Sequence, residues 1–527
     1  MRRTLRVRPA ASALLACLTL LFGLLASAPA TAAPSADRLP EQWRSYWVDG
    51  FNEGIYTPAQ VERLIDDALA VNANALIVQT ARRYDCFCNN ALYPRTDAAI
   101  DPAPYDPLAE VIERAHAAGL QVHAWVNVNT LWNSTTPPTS PDHAYNQHGP
   151  SAQGRDRWLN RKADGTERVG ANTYIDPGHP DAAAYIVAAV QSIARAYDVD
   201  GINLDYVRYP DGSAQTTHSD WGYNPVSVAR FQQATGRTDI PAPADQQWSD
   251  WRRDQVTSLV RHIYLGLWEV DPRVRLSMDA ITYGHGPQAV GGWENTRTYA
   301  EVLQDWAGWL DEGIMDTVVT MNYKREWDPD QAAMFAEWSA FLADAQGGRQ
   351  AVNGPALYLN GVDDSVAQVR RALAPTPAGN TAAGWSGYSY ATPSMDSAAN
   401  GAAAERARLA EALTTGPGAP FAEPAAVPGM RWKTAPRDGH VTGTLALRGG
   451  TPLDQARLTL TPLAAPGAYE SETRTDGTGW FGFAHVAPGL YLVRADLPRG
   501  VTGAPVTVVH VRRGGIAEAR LPGLTAR

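Results

Sequence analysis

Between Trp43 and Leu413 eight short apolar runs alternate with eight segments of helical periodicity, and this alternation constrains the fold more than any other feature. The strand candidates are 43–50, 74–80, 121–128, 201–207, 275–282, 316–324, 351–359 and 383–390. Helices are expected over 58–71, 107–118, 181–197, 247–268, 299–310, 329–344, 363–373 and 402–413. Pro58 after Thr57 suits a capped first turn, and Gly119 suits a helix stop. Strands that each need a helix before the next strand pair in parallel, because a tight hairpin cannot join parallel neighbours. Eight such units predict an α/β fold, a (β/α)8 TIM barrel with enlarged loops. The competing doubly wound sheet needs a phosphate-binding glycine loop after its first strand, which Gly50-Phe51-Asn52-Glu53-Gly54 does not supply.

At 527 residues the chain is too long for one ordinary domain. Residues 1–33 read as a secretion signal: Arg2, Arg3, Arg6 and Arg8, then an apolar run from Ala11 to Ala26, then small residues to Ala33. The mature protein is therefore expected to be secreted, outside the cell or at its wall. No later stretch approaches the length of a membrane span, so no integral membrane association is expected. The net charge of −10 becomes more negative once the leader's arginines are gone, which excludes a nucleic-acid partner by repulsion. Beyond the leader only Cys86 and Cys88 remain, a spacing that suits neither a disulfide framework nor a four-ligand zinc site. A bridge between them and two free thiols are both open.

The barrel is expected to occupy residues 34–414. Pro417, Pro420, Pro424, Pro428 and Pro436 mark 415–437 as a semi-rigid linker. Seven strand patterns follow between His440 and Leu521, separated by turns such as Asp476-Gly477-Thr478-Gly479, so 438–527 is expected to be a small all-β sandwich. With no acid cluster of its own and a linker before it, the sandwich is expected to stand apart from the barrel and to be dispensable for catalysis.

Side chains alternate across a strand, so the inward sets can be assigned. In Gly201-Ile202-Asn203-Leu204-Asp205, Ile202 and Leu204 suit the helix side and Asn203 and Asp205 the interior. A carboxylate at the C-terminal end of a barrel strand is where such folds keep catalytic groups. The third strand offers His123, Trp125 and Asn127, with Asn129 beyond it. The fifth offers Ser277 and Asp279, and the sixth Thr320, Asn322 and Lys324, with Tyr323 beside them and Glu326 just past the end. Buried polar and aromatic groups of this kind are costly unless they bind one another or a ligand. Glycoside hydrolysis needs two carboxyl groups, one ionised and one protonated. Asp205 fits the first, and Asp279 or Glu326 the second. Arg82, Arg208 and Lys324 are candidates to hold a substrate anion or tune the acids. The rings of Tyr323, Tyr358 and Trp385 are candidates to contact sugar, whose apolar faces stack on aromatic planes. The insertion at 129–180, with His143, His148, Trp158 and Asp176, is expected to wall one side of the cleft. Its histidines have no metal-ligand spacing, so they read as surface or substrate-contacting groups. Motifs for a serine elbow, a zinc helix, a Walker loop or a dinucleotide fold are absent, and no cofactor or metal is expected.

Several motifs in order, His123-Ala124-Trp125-Val126-Asn127, Tyr174-Ile175-Asp176-Pro177-Gly178, Asp200-Gly201-Ile202-Asn203-Leu204-Asp205-Tyr206 with Arg208-Tyr209-Pro210, and Val319-Thr320-Met321-Asn322-Tyr323, resemble the glycosyl-hydrolase-like family ten of exported bacterial proteins. That resemblance implies a (β/α)8 glycosidase, directed in some members at the glycan strands of bacterial cell wall, and leaves the acid unassigned. The central strand also resembles the DGxDxDxE strand of family 18 chitinases, but Asn203 replaces an Asp and Val207 stands where the acid should be. Asp476-Gly477-Thr478-Gly479-Trp480-Phe481-Gly482-Phe483 with Pro488-Gly489-Leu490-Tyr491 resembles carboxypeptidase regulatory-like modules. The reading is an exported glycoside hydrolase acting on a polysaccharide or oligosaccharide; a glycan-binding barrel without a competent acid is the alternative.

Overall fold

Eight parallel strands close into a barrel in chain order: β1 (Trp43–Val48), β2 (Ala75–Ala81), β3 (Gln121–Asn127), β4 (Gly201–Asp205), β5 (Arg275–Ile281), β6 (Thr317–Asn322), β7 (Gln350–Pro355) and β8 (Gly384–Gly387), with β8 pairing back onto β1. The structure is a computed structural model and describes residues 39–212, 217–464, 470–498 and 500–526; the expected leader lies outside the described residues. Around the strands run α1 (Pro58–Ala70), α2 (Pro107–Ala117), α3 (Pro180–Ala196), α4 (Gln246–Val270), α5 (Trp306–Glu312), α6 (Pro329–Ala345), α7 (Val362–Ala372) and α8 (Ala402–Thr414). Thr57 and Asp106 cap α1 and α2 through their side-chain oxygens, ahead of a proline in each first turn. Among the described residues no helix is long and apolar enough to cross a membrane.

Strand alternation sorts two apolar layers. Tyr46, Leu76, Val78, Val122, Ile202, Leu204, Leu276 and Met278 pack outward under the helices. Trp43, Trp47, Ile77, Trp125, Val319 and Val352 fill the barrel itself. Gly354 makes room for this filling: a Cβ there would lie 2.3 Å from the Trp47 ring. Gly201 does the same lower down, where a Cβ would lie 2.1 Å from His123 Nδ1.

The fifth expected helix, 299–310, is broken. A short turn at Arg297–Ala300 and α5 are separated by Leu303 at φ +55. The break turns Gln304 inward, where its Oε1 accepts from Ile281 N at 2.8 Å and its Nε2 donates to Asp279 O at 3.4 Å. Side-chain bonds to the end of β5 replace a continuous helix.

The C-terminal residues form the expected sandwich. One sheet holds β9 (Gly439–Thr444), β12 (Trp480–Val486) and β15 (Ile516–Arg520); the other holds β10 (Arg457–Pro462), β11 (Ser471–Arg474), β13 (Gly489–Ala495) and β14 (Val506–Val511). It does not stand apart, contrary to the expectation. Trp480 stacks on His262 of α4 at 3.8 Å, and Arg230 forms a two-pronged ion pair with Asp454 at 2.6 and 2.8 Å. The proline-rich segment 415–437 is no free spacer either. It crosses the N-terminal end of the barrel, burying Phe421 against Trp385 and sending Lys433 onto Asp316 at 2.7 Å. Prolines remove backbone donors, but its carbonyls remain, and Arg44, Asn74 and Arg275 donate to those of Glu423, Ala425 and Pro428.

Candidate active site

At the C-terminal mouth of the barrel Asp205 ends β4 and Asp279 lies near the end of β5. Leu204 pairs with Met278, so the two aspartates face inward at the same level of adjacent strands. They meet in a cavity of about 230 Å³ whose walls include Trp47, Gln79, Trp125, Asn127, Tyr323 and Tyr388. Both carboxyls are almost fully buried. Asp205 accepts from Tyr206 N at 2.7 Å and from Trp125 Nε1 at 3.3 Å; Asp279 accepts from Trp47 Nε1 at 3.0 Å. The first of these bonds depends on a local bend, because Tyr206 takes a left-handed φ of +51 directly after the strand.

Burial pushes both carboxyls above their usual range. For Asp205 the Arg208 guanidinium and the Tyr206 and Trp125 donors pull the other way. Asp279 is pushed much further, since the charge of Asp205 adds to its desolvation. The two environments thus separate the pair into a more readily ionised Asp205 and an Asp279 that keeps its proton.

The remaining expected residues divide. Trp125, Asn127 and Tyr323 line the cavity. Tyr358 lies at its rim, 6.3 Å from Tyr323 and 6.0 Å from Tyr388 between ring centres. Asn129 and Arg208 lie just outside it, with Asn129 Nδ2 donating to Arg208 O at 3.2 Å and Arg208 held by Asp211 at 2.7 Å.

Others are placed elsewhere. Glu326 is not on the cavity wall: Arg371 pairs with its carboxylate and Asn360 accepts from its backbone N–H. His123 faces inward as expected but sits low in the barrel against Trp43 at 4.7 Å, where burial and Arg275 keep it neutral. Trp385 points out, between Tyr46 and Phe421. Asn322 also points out, donating to Phe335 O of α6 at 3.1 Å, so the inward set of β6 is Val319, Met321 and then Tyr323 rather than Thr320, Asn322 and Lys324. Lys324 spends its ammonium on Thr282 O at 2.7 Å. Arg82 turns away to Gly50 O and Asp85, and its neighbour Arg83 faces the cavity instead. Cys86 and Cys88 are joined by a disulfide.

In the 129–180 insertion, Thr130, Asn172 and Tyr174 reach the cavity wall. His143 is buried with Nε2 on Arg83 O at 2.9 Å, and His148 stacks on Trp158 at 3.5 Å, so neither histidine meets the cavity. Asp176 is a structural knot, accepting from Gly178 N and Asn224 N. Trp47, Gln79, Arg83, Tyr174, Tyr206 and Tyr388 are site residues that sequence reasoning passed over. Alternation from Trp43 would have found Trp47, and alternation from Ile77 would have found Gln79. Tyr388 follows β8 at an odd spacing from Trp385, so alternation puts the two on opposite faces, but nothing in the sequence says which ring faces inward.

A family model described as Glycosyl hydrolase-like 10 matches residues 42–346, a span that contains both aspartates and ends before Tyr358 and Tyr388. Among curated proteins the chain is similar to glycosyl hydrolase YngK of Bacillus subtilis (strain 168), 26% identical over 272 residues, covering 50% of this chain and 48% of YngK. It is also similar to glycosyl hydrolase DigH of Escherichia coli (strain K12), 24% identical over 262 residues, covering 45% of this chain and 50% of DigH. The chain spans about half the length of these curated relatives. Among solved structures it resembles the PgaB (BpsB) glycoside hydrolase domain from Bordetella bronchiseptica, with 19% identity and a TM-score of 0.49, covering 70% of this chain and 98% of that one. With the family model matching more than half of its length, the chain belongs to the glycosyl hydrolase-like 10 family.

Proposed function

We propose that this protein is an exported glycoside hydrolase that cleaves a polysaccharide, above all the glycan strands of bacterial cell wall. One observation carries the reading: two buried carboxyls share a cavity in environments that leave one ionisable and the other protonated. Asp279 is assigned the general acid that protonates the departing oxygen. Asp205 is assigned the anion that stabilises, or adds to, the oxocarbenium-like sugar carbon. Tyr323 and Tyr388 supply the rings on which a sugar stacks, over a floor formed by the buried Trp47 and Trp125.

The cell-wall assignment is supported by family membership and by Arg83. No ion pair engages Arg83 among the described residues, its Nε is buried without a partner, and it faces the cavity, which suits a sugar carrying a carboxylate. The Cys86–Cys88 disulfide suits an oxidising compartment and supports export. The test is incubation of the mature protein with cell-wall glycan strands, chitin oligomers and plant β-glucans, followed by mass spectrometry. New reducing ends on wall glycan above the other two are expected; none on any of the three would overturn the reading.

A further inference from the structure

The cavity over the aspartates is small for a polymer. At about 230 Å³ it falls below the ~300–1,000 Å³ that pockets offer drug-sized ligands. A glycan chain must therefore continue outside it, and the barrel mouth shows where. Trp327, just past β6, is 55% exposed, the one tryptophan among the described residues left so open. Tyr358, just past β7, is 37% exposed and stands next to Tyr323 and Tyr388 of the cavity wall.

These rings are held rather than loose. Trp327 Nε1 donates to Leu359 O at 3.1 Å, so the indole's polar edge is satisfied and its plane is fixed beside the Tyr358 loop. The two loops are tied together beneath it: Asn360 accepts from Glu326 N at 2.7 Å and donates to Lys324 O at 2.9 Å. The Glu326–Arg371 pair adds a third tie. The geometry points to an outer subsite in which Trp327 and Tyr358 stack the apolar face of a pyranose ring, one or more residues along the same glycan from the ring over Asp205 and Asp279. This rests on the glycan reading of the cavity and extends it: the substrate is a chain longer than a disaccharide, and Glu326 positions the platform instead of donating a proton.

The experiment compares a hexasaccharide and a disaccharide of chitin on the full mature chain, by calorimetric binding and by initial rate, for wild type, Trp327→Ala and Trp327→Phe. In Trp327→Ala the preference for hexamer over dimer is expected to fall about tenfold, from loss of one stacked ring, through affinity rather than turnover. Trp327→Phe, which keeps a ring face, is expected to restore most of it. A preference that is unchanged in Trp327→Ala, or absent in wild type, overturns the subsite. Binding keeps this distinct from the catalytic reading: a wild type that binds hexamer and cleaves nothing defeats the glycosidase proposal while the Trp327 comparison still decides the subsite.

Discussion

The two ends of one barrel bury aspartates in opposite ways. At the N-terminal end Asp316 is wholly enclosed, and everything around it answers its charge: Lys433 Nζ at 2.7 Å, Trp432 Nε1 at 2.6 Å and Leu276 N at 2.8 Å. At the mouth, Asp279 is nearly as buried but receives Trp47 Nε1 and, among the described residues, no cation, while the neighbouring charge is that of Asp205. The cation that acts on Asp205, Arg208, is itself engaged by Asp211 and the Tyr209 carbonyl. Burial alone therefore does not mark a catalytic acid. A carboxyl paired and fully bonded fastens structure, whereas one left short of partners in a cavity holds chemistry in reserve.

The comparison breaks first at the rate. Asp205→Asn and Asp279→Asn each keep shape and remove ionisable chemistry, so turnover should drop by at least ~10³, with a cooperative melt retained. Near-normal turnover in Asp205→Asn would detach the mouth from catalysis. Lys433→Met is the mirror experiment. Removing one partner of a buried pair costs about 3–5 kcal/mol, so denaturant midpoints should fall while turnover per folded molecule holds. An unchanged midpoint would show that Asp316 is fastened by its other donors alone. The loss should be larger still when the chain ends at residue 420, since Phe421 and Lys433 go together.

The smallest effect is a sign. Asp279 has a folded pKa raised above its unfolded value of ~3.9, so the folded state binds the proton more tightly. Stability from this group is complete below about pH 4 and declines as pH rises toward the raised value. Asp279→Asn removes that decline. Its melting temperature should match wild type near pH 4 and exceed it at pH 7 to 8, a gain in stability at the expense of activity. A variant that melts lower than wild type at pH 8 would show the carboxylate to be satisfied in the fold. For the same reason, kcat/KM should show an acid limb above the ordinary carboxylate range, set by Asp205, and an alkaline limb set by Asp279.

The sequence by itself determined the barrel, its strand order and the inward placement of Asp205, Asp279, Trp125 and Asn127. Regular alternation between clearly apolar and clearly polar positions leaves one solution for each of β3, β4 and β5. It failed on β6, where Thr320 and Asn322 are the polar positions and nonetheless face the helices. There the Phe335 carbonyl and the Asn353 side chain accept from Asn322 Nδ2 on the helix side, so polarity named the wrong face. It failed on Glu326 and Arg82 for another reason, since both leave strand ends on loops whose course is set by partners remote in the chain, Arg371 and Gly50. Tertiary structure alone decided that Arg83 faces the cavity, that of Trp385 and Tyr388 it is Tyr388 that faces inward, and that a proline-rich segment seals the barrel base. Each depends on where distant backbone carbonyls and rings converge, and short-range periodicity carries no record of that.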